Sequence, residues 1–202
     1  MNLIDPSVKE GFDKVATSNQ WESYSDVWFD YRYGQDTPTE KRTGKLFHRL
    51  RCREGQATSH RAKFLDEMIK LIPPKIAHFG KRLVDMDDRG DKIHLRFKDG
   101  TEAFHTAVVG CDGIKSKVRE YVLGADDPAV HAVFTGKYCH RGLAPMSEAI
   151  DALGEELAVN NHVYLGKGGH VITFPINKGK TFNGELPNTP PMVFRKLVSQ
   201  GY

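Results

Sequence analysis

Apolar positions along the chain follow two periods, and each period predicts its own elements. Val8, Phe12 and Val15 recur at helical spacing behind Asp5, a suitable N-cap, and Pro6, which suits a first helical position. Ala62, Leu65, Ile69 and Ile72 do the same, so a second helix is expected over His60–Ile72, capped by Ser59 and stopped by Pro73-Pro74. Val27–Tyr33 is dense in β-formers and reads as a strand. Further on, strands are expected over Val130–Arg141 and in a hairpin from His162 to Ile176 turned by Gly166, Gly168 and Gly169, with a short helix at Ser147–Leu153 between them. From Gly184 onward apolar residues thin out, and an irregular tail is expected over 184–202.

The sharpest alternation surrounds Asp99-Gly100. Ile93, Leu95 and Phe97 alternate with polar residues before it, and a strand follows from Thr101 to Val109. Asp-Gly between alternating runs predicts a two-residue type I′ turn, because glycine accepts positive φ. That register sets Leu95 opposite Phe104 and His94 opposite His105. The two histidines lack a third ligand placed to complete a metal site, so they are expected as an exposed pair.

Charge changes little in this picture. There are 29 Lys+Arg against 26 Asp+Glu, and a net +3 makes no case for nucleic acid. Six of the cations, Lys41, Arg42, Lys45, Arg49, Arg51 and Arg53, fall within residues 41–53 without an acid; their partial alternation with Leu46, Leu50 and Cys52 suits a half-exposed strand, the alternative being an anion- or nucleic-acid-binding surface. No uncharged run exceeds about ten residues, too short to cross a membrane as a helix, and the N-terminus lacks the pattern of a secretory signal. Cys52, Cys111 and Cys139 are odd in number and without a CxxC, which suits a reducing, cytoplasmic setting and no structural metal.

Chemistry concentrates at Ala107-Val108-Val109-Gly110-Cys111-Asp112-Gly113-Ile114-Lys115-Ser116. Read locally, a buried strand ends at Gly110, an Asp-Gly turn follows, and a helix starts near Ile114. Open α/β sheets bind ligands at that end of a strand, free amides at a helix start attract phosphate, Asp112 can accept from ribose hydroxyls, and Gly113 allows close approach. A bare strand–turn–helix corner is the plainer alternative. There is no Gly-x-Ser-x-Gly to suggest a hydrolase.

The whole string resembles the Asp-Gly fingerprint of FAD-dependent aromatic-ring monooxygenases, the salicylate hydroxylase-like group A flavoproteins. Three further stretches agree in order: Ser59-His60-Arg61-Ala62 with the family's His-Arg segment at a helix start, Gly136–Pro145 with its arginine-bearing strand, and Gly166–Asn183 with its substrate-domain hairpin. The resemblance implies a mixed α/β fold: a partial FAD/NAD(P)-binding Rossmann-like domain over 1–20 and 57–128, and part of a β-sheet substrate domain over 21–56 and 129–183. It implies that Arg61, Asp112 and Gly113 contact FAD, that Arg141 is the charged catalytic group near the substrate, and that His140 and Phe174 line the substrate site. The implied reaction is hydroxylation of a small phenolic aromatic with NAD(P)H and O2. Two positions depart from the family: His140 stands where tyrosine is common, and Phe174 lies where some members carry a catalytic tyrosine. Neither a Gly-x-Gly-x-x-Gly nor a Gly-Asp-Ala-Ala-His run occurs in these residues. With one FAD-binding element of three, weak or absent binding of FAD by the isolated chain is expected, and a non-catalytic remnant or interaction module using 41–53 is the alternative.

Overall fold

The computed structural model describes residues 5–188. In chain order the elements are α1 (Pro6–Val15), β1 (Ala16–Ser18), β2 (Val27–Tyr33), β3 (Leu46–Arg51), β4 (Ala57–Ser59), α2 (Arg61–Ile69), β5 (Leu83–Asp88), β6 (Ile93–Phe97), β7 (Glu102–His105), α3 (Lys117–Leu123), β8 (Tyr138–Pro145), α4 (Met146–Leu153), α5 (Glu155–Val159), β9 (His162–Gly166), β10 (Gly169–Ile176) and β11 (Thr181–Asn188). The described residues form two compact units, one of residues 5–72 with 136–188 and the other of residues 73–135. The fold is mixed α/β, as the sequence implies.

The larger unit is built on a six-stranded sheet in the order β3-β2-β9-β10-β11-β8. All neighbours are antiparallel except β2 and β9, which run parallel. Because side chains alternate across a strand, the register sorts residues onto two faces. Asp30, His162, Thr173 and Gly184 share one face, and Phe182 two residues along joins them. Helices α4 and α5 cover that face: Met146, Ala149, Ala158 and Val159 are buried together, with Trp21 and Phe182 packed against them. Tyr31, Val163, Ile172, Glu185 and Arg141 form a row across the opposite face.

Helix α1 starts as expected: the Asp5 carboxylate accepts from Ser7 N at 2.8 Å, and Pro6 opens the helix. Its one buried residue is Gly11, where a Cβ would lie 2.7 Å from Met68 Cε of α2; the missing side chain lets the two helices approach. Phe12 and Phe64 meet edge to face at 5.6 Å in the same contact. Ser59 is not the cap of α2. It ends β4, paired with Ala16, and His60 takes the N-cap position without a side-chain bond. The helix ends at Ile69, before the two prolines.

Two other expectations change in this unit's strands and around them. Residues 130–137 form no strand; pairing starts at Tyr138. Residues 184–188 are not an irregular tail but the second half of β11, paired with β8 through Asn188↔Tyr138. A chain poor in apolar residues joins a sheet here because β8 supplies backbone partners along its whole length. The remainder of the expected tail, 189–202, lies outside the described residues.

In the smaller unit β5, β6 and β7 make an antiparallel sheet, and the Asp99-Gly100 turn is one residue longer than expected. Gly100 N donates to Phe97 O, Gly100 has φ +83°, and Phe97 N donates to Thr101 O. This is a three-residue connection with glycine in the left-handed position, so every pair slips by one. His94 therefore faces Phe104, with rings stacked at 4.4 Å, and His105 faces Ile93. His94 is buried, between Asp87 Oδ1 at 3.2 Å and Glu102 Oε2 at 3.1 Å. Lys81 and Thr101 bind the Asp99 carboxylate, holding its pKa well below the usual range.

Candidate functional site

The Asp112 corner lies in the smaller unit. Residues 107–109 are not a buried strand: Val109 is 85% exposed. Gly113–Lys115 form one tight turn, and α3 starts at Lys117 with Ser116 as N-cap, its hydroxyl accepting from Arg119 N at 2.9 Å. Asp112 turns onto this start. Its carboxylate accepts from Ser116 Oγ, from Lys117 N at 2.6 Å and from Val118 N at 3.4 Å. The Ser116 hydroxyl, followed by those backbone donors, holds the Asp112 pKa below the ordinary carboxylate value. The amides expected to be free for phosphate are thus claimed internally. What stays open is Gly113: its φ is +80° and a Cβ there would meet nothing within 4 Å, so a ligand can reach the backbone. At Gly110, by contrast, Val118 Cβ would lie 2.6 Å from an added Cβ.

The other candidates share the larger unit. Arg141 and Phe174 fall on one sheet face, because Arg141 pairs with Glu185, Phe174 pairs with Asn183, and these partners are two residues apart on β11. Arg141 is open to solvent, its Nε 3.3 Å from Glu185 Oε1. His140 pairs with Leu186 and takes the opposite face, stacked edge-on against Tyr138 at 5.2 Å. The sheet therefore brings Arg141 and Phe174 together and leaves His140 apart. Arg61 opens α2 with an exposed side chain and without an ion pair among the described residues. The segment bearing it is tied to the end of β10: Thr58 Oγ1 donates to Pro175 O at 2.7 Å, and Lys63 Nζ bonds Asn177 Oδ1.

The face beneath α4 and α5 holds a buried polar network that the periodicity does not announce. Asp30 is fully buried and receives a two-pronged bond from Arg49, Nε to Oδ1 at 2.6 Å and Nη2 to Oδ2 at 2.7 Å. Burial pushes the Asp30 carboxyl up, but Arg49 and the Tyr24 hydroxyl outweigh it and hold the pKa below the ordinary value. Tyr24 Oη lies 2.6 Å from Glu156 Oε1 and 3.1 Å from Asp30 Oδ2, and burial, then these carboxylates, push its pKa up. His162 is also fully buried. Arg32 Nε donates to its Nδ1 at 3.3 Å, and its Nε2 faces Glu156 O at 3.2 Å; desolvation lowers its pKa, which favours the neutral ring. The sequence signal for this network is a lone acid inside Val27-Trp28-Phe29-Asp30-Tyr31, opposite a strand bearing cations. That strand, the basic run, is largely spoken for: Arg49 binds Asp30, Arg51 binds Asp26, Lys45 lies 3.5 Å from Glu40, and Arg42 sits over the Tyr33 ring at 4.3 Å. No cluster of metal-ligating side chains occurs among the described residues, and none of their helices is long and apolar enough to cross a membrane.

No protein-family model matches the chain. Individual relatives do. A 6-methylsalicylate 1-monooxygenase of Aspergillus terreus is 44% identical over 185 residues, covering 90% of this chain and 41% of that protein. The chain's homologues are FAD-dependent monooxygenases. Monascus ruber has one that is 41% identical, and the salicylate hydroxylase of Pseudomonas putida is 36% identical over 90% of this chain. Among solved structures, a salicylate hydroxylase in its substrate complex superposes with a TM-score of 0.73 at 32% identity, over 93% of this chain and 47% of that one. The chain spans about 41% of the length of the curated relatives it matches. The resemblance seen in the residues is thus carried by homologues, and the reading as an unrelated interaction module is not favoured.

Proposed function

We propose that these residues supply the substrate-facing sheet, and part of the FAD contact, of a monooxygenase that hydroxylates a small phenolic aromatic with NAD(P)H and O2. The observation that carries this is the sheet row that sets Arg141 and Phe174 on one face, with the Arg61 helix start anchored to the same strand. Arg141 is the proposed catalytic group: its guanidinium holds a phenolate or carboxylate bidentately once it leaves or shares Glu185. Phe174 has no hydroxyl, so it packs on the ring of the substrate and moves no proton. His140 points to the other side of β8 and does not share this face, so it is left out of the proposed substrate contact.

Arg61 and Gly113, each within its own unit, fit a bound FAD: the first is a cation without an ion pair among the described residues, the second an open stretch of backbone. Asp112 shapes its corner by capping α3. FAD, when bound, supplies the electron transfer and oxygen activation. The amides at the start of α3 are already bonded, which supports weak or absent FAD binding by the 202-residue chain. We assign residues 1–20 and 57–128 to cofactor binding and 21–56 and 129–183 to the substrate side, in a cytoplasmic protein.

Two measurements test this. The visible spectrum of the purified chain should show little flavin; a stoichiometric yellow protein would refute the weak-binding assignment. With FAD added, the chain should quench or shift salicylate fluorescence on titration, and Arg141→Gln should weaken that binding at least ten-fold. Equal binding by the variant removes Arg141 from the site.

A further inference from the structure

Asn183 occupies the middle of the face proposed to hold substrate, paired across β10 with Phe174 and across β11–β8 with Leu143. It is 7% exposed, and its side-chain nitrogen Nδ2 is buried without a hydrogen-bond partner among the described residues. A buried, unpaired amide costs stability, so its retention calls for a partner that arrives later. The neighbourhood repeats the feature. Continuing the His162↔Thr173 register by one position sets Asn161 beside Phe174 from the other side, and Asn161, 1% exposed, has both side-chain amide atoms unpartnered among the described residues. Arg141 stands on the same face, diagonal to Asn183.

We propose that Asn183 is a ligand-positioning residue whose Nδ2 donates a hydrogen bond to an oxygen substituent of a planar aromatic lying against Phe174, beside the anionic group held by Arg141. This rests on the reading of the face as a substrate site. A phenolic aromatic acid fits the set: the guanidinium takes the carboxylate, the carboxamide takes the neighbouring oxygen, and the phenyl ring takes the aromatic face. A ligand that lacks the second oxygen forfeits the Asn183 bond alone.

The test uses the full 202-residue chain with added FAD, titrated with salicylate and, separately, with benzoate. Asn183→Leu should bind salicylate about ten-fold more weakly while leaving benzoate binding within about two-fold, and the ligand-free variant should melt at or above the wild-type temperature, since an unpaired donor has been removed. A structural asparagine would give the reverse: a lower melting temperature with salicylate affinity retained, which overturns the inference. If Asn183→Leu does not fold, the wild-type Asn183 side-chain NH2 signals decide by NMR. On adding salicylate one of them should move downfield, as a hydrogen-bonded NH does, beyond the ring-current shift that benzoate gives; equal shifts with the two ligands, or none, overturn the assignment. Loss of binding in Arg141→Gln but not in Asn183→Leu sinks this inference alone, whereas no binding by the wild-type chain sinks the substrate-face reading and this inference with it.

Discussion

Replacing Asp30 by asparagine removes the charge at the centre of the network beneath α4 and α5 and keeps the shape. Both carboxylate oxygens are engaged: Oδ1 by Arg49, and Oδ2 by Arg49 and, at 3.1 Å, the Tyr24 hydroxyl, with Arg32 Nη2 3.6 Å away. The neutral carboxamide of Asp30→Asn would strand the Arg49 guanidinium and point an NH2 at it, while Arg32 keeps Glu156 at 3.4 Å. Breaking a buried pair from one side costs roughly 3–5 kcal/mol. Because the Arg49 side chain is 27% exposed and can recover some hydration, the lower end applies, about 3 kcal/mol. For a chain of this size that is roughly 6–12 °C in melting temperature. Thermal and urea unfolding of Asp30→Asn measures it, and Asp30→Leu, Arg49→Met and the Asp30→Leu/Arg49→Met double variant form the cycle that dissects it. The double should be less destabilised than the sum of the singles, since no lone charge stays buried. The pH dependence follows from the sign of the shift. The folded carboxyl titrates below its unfolded value of about 3.9, so its stabilisation is complete above that pH and is lost as pH falls through the folded value. Asp30→Asn should lack that acid-sensitive part. A loss under about 1 kcal/mol, or strictly additive singles, would refute the reasoning.

Two further outcomes follow from the same structure. Burial holds the His162 pKa below its ordinary value, so stability should decline as pH drops below about 6.5, where the unfolded ring takes a proton and the folded one does not; His162→Gln should flatten that slope in urea titrations. Gly55 has φ +61°, and an added Cβ would lie 2.2 Å from Ser25 O, so Gly55→Ala should destabilise by at least about 2 kcal/mol, seen as a lower denaturant midpoint; an unchanged midpoint would show that the Ser25 loop gives way freely.

What the sequence discloses depends on how local the cause is. Val27–Tyr33 and the 162–176 hairpin fall at their expected positions, because β-former density and a glycine turn act over a few residues. The Asp99-Gly100 turn is where the sequence puts it but of another type. Asp-Gly also suits a turn with glycine third, and that one-residue difference turns His94 from an exposed neighbour of His105 into a buried ring on Phe104. Strand β11 past Gly184 is invisible to local patterns because its partners lie far back in the chain on β8, from Glu185↔Arg141 to Asn188↔Tyr138. The candidate site divides in the same way. Arg141 and Phe174 are picked out by resemblance to a family, and their shared face is a matter of register. His140, next to Arg141 in one strand, takes the other face by alternation alone, whereas which face meets Phe174 is settled only when β8 pairs with β11. Asp30, Arg49, Glu156 and His162 come together from opposite ends of the chain, a span that periodicity cannot cross.

The parallel β2–β9 pairing has a bearing on how the polypeptide reaches this shape. Residue 30 has to wait for residue 162 before the middle of the sheet can close, while the 73–135 unit lies between them in the chain and can organise from near neighbours alone. On a ribosome, that inserted piece would emerge and settle first, with the aromatic-rich β2 and β3 lacking their central partner until β9 arrives. Such a nascent chain is the stage at which this protein would most need a chaperone.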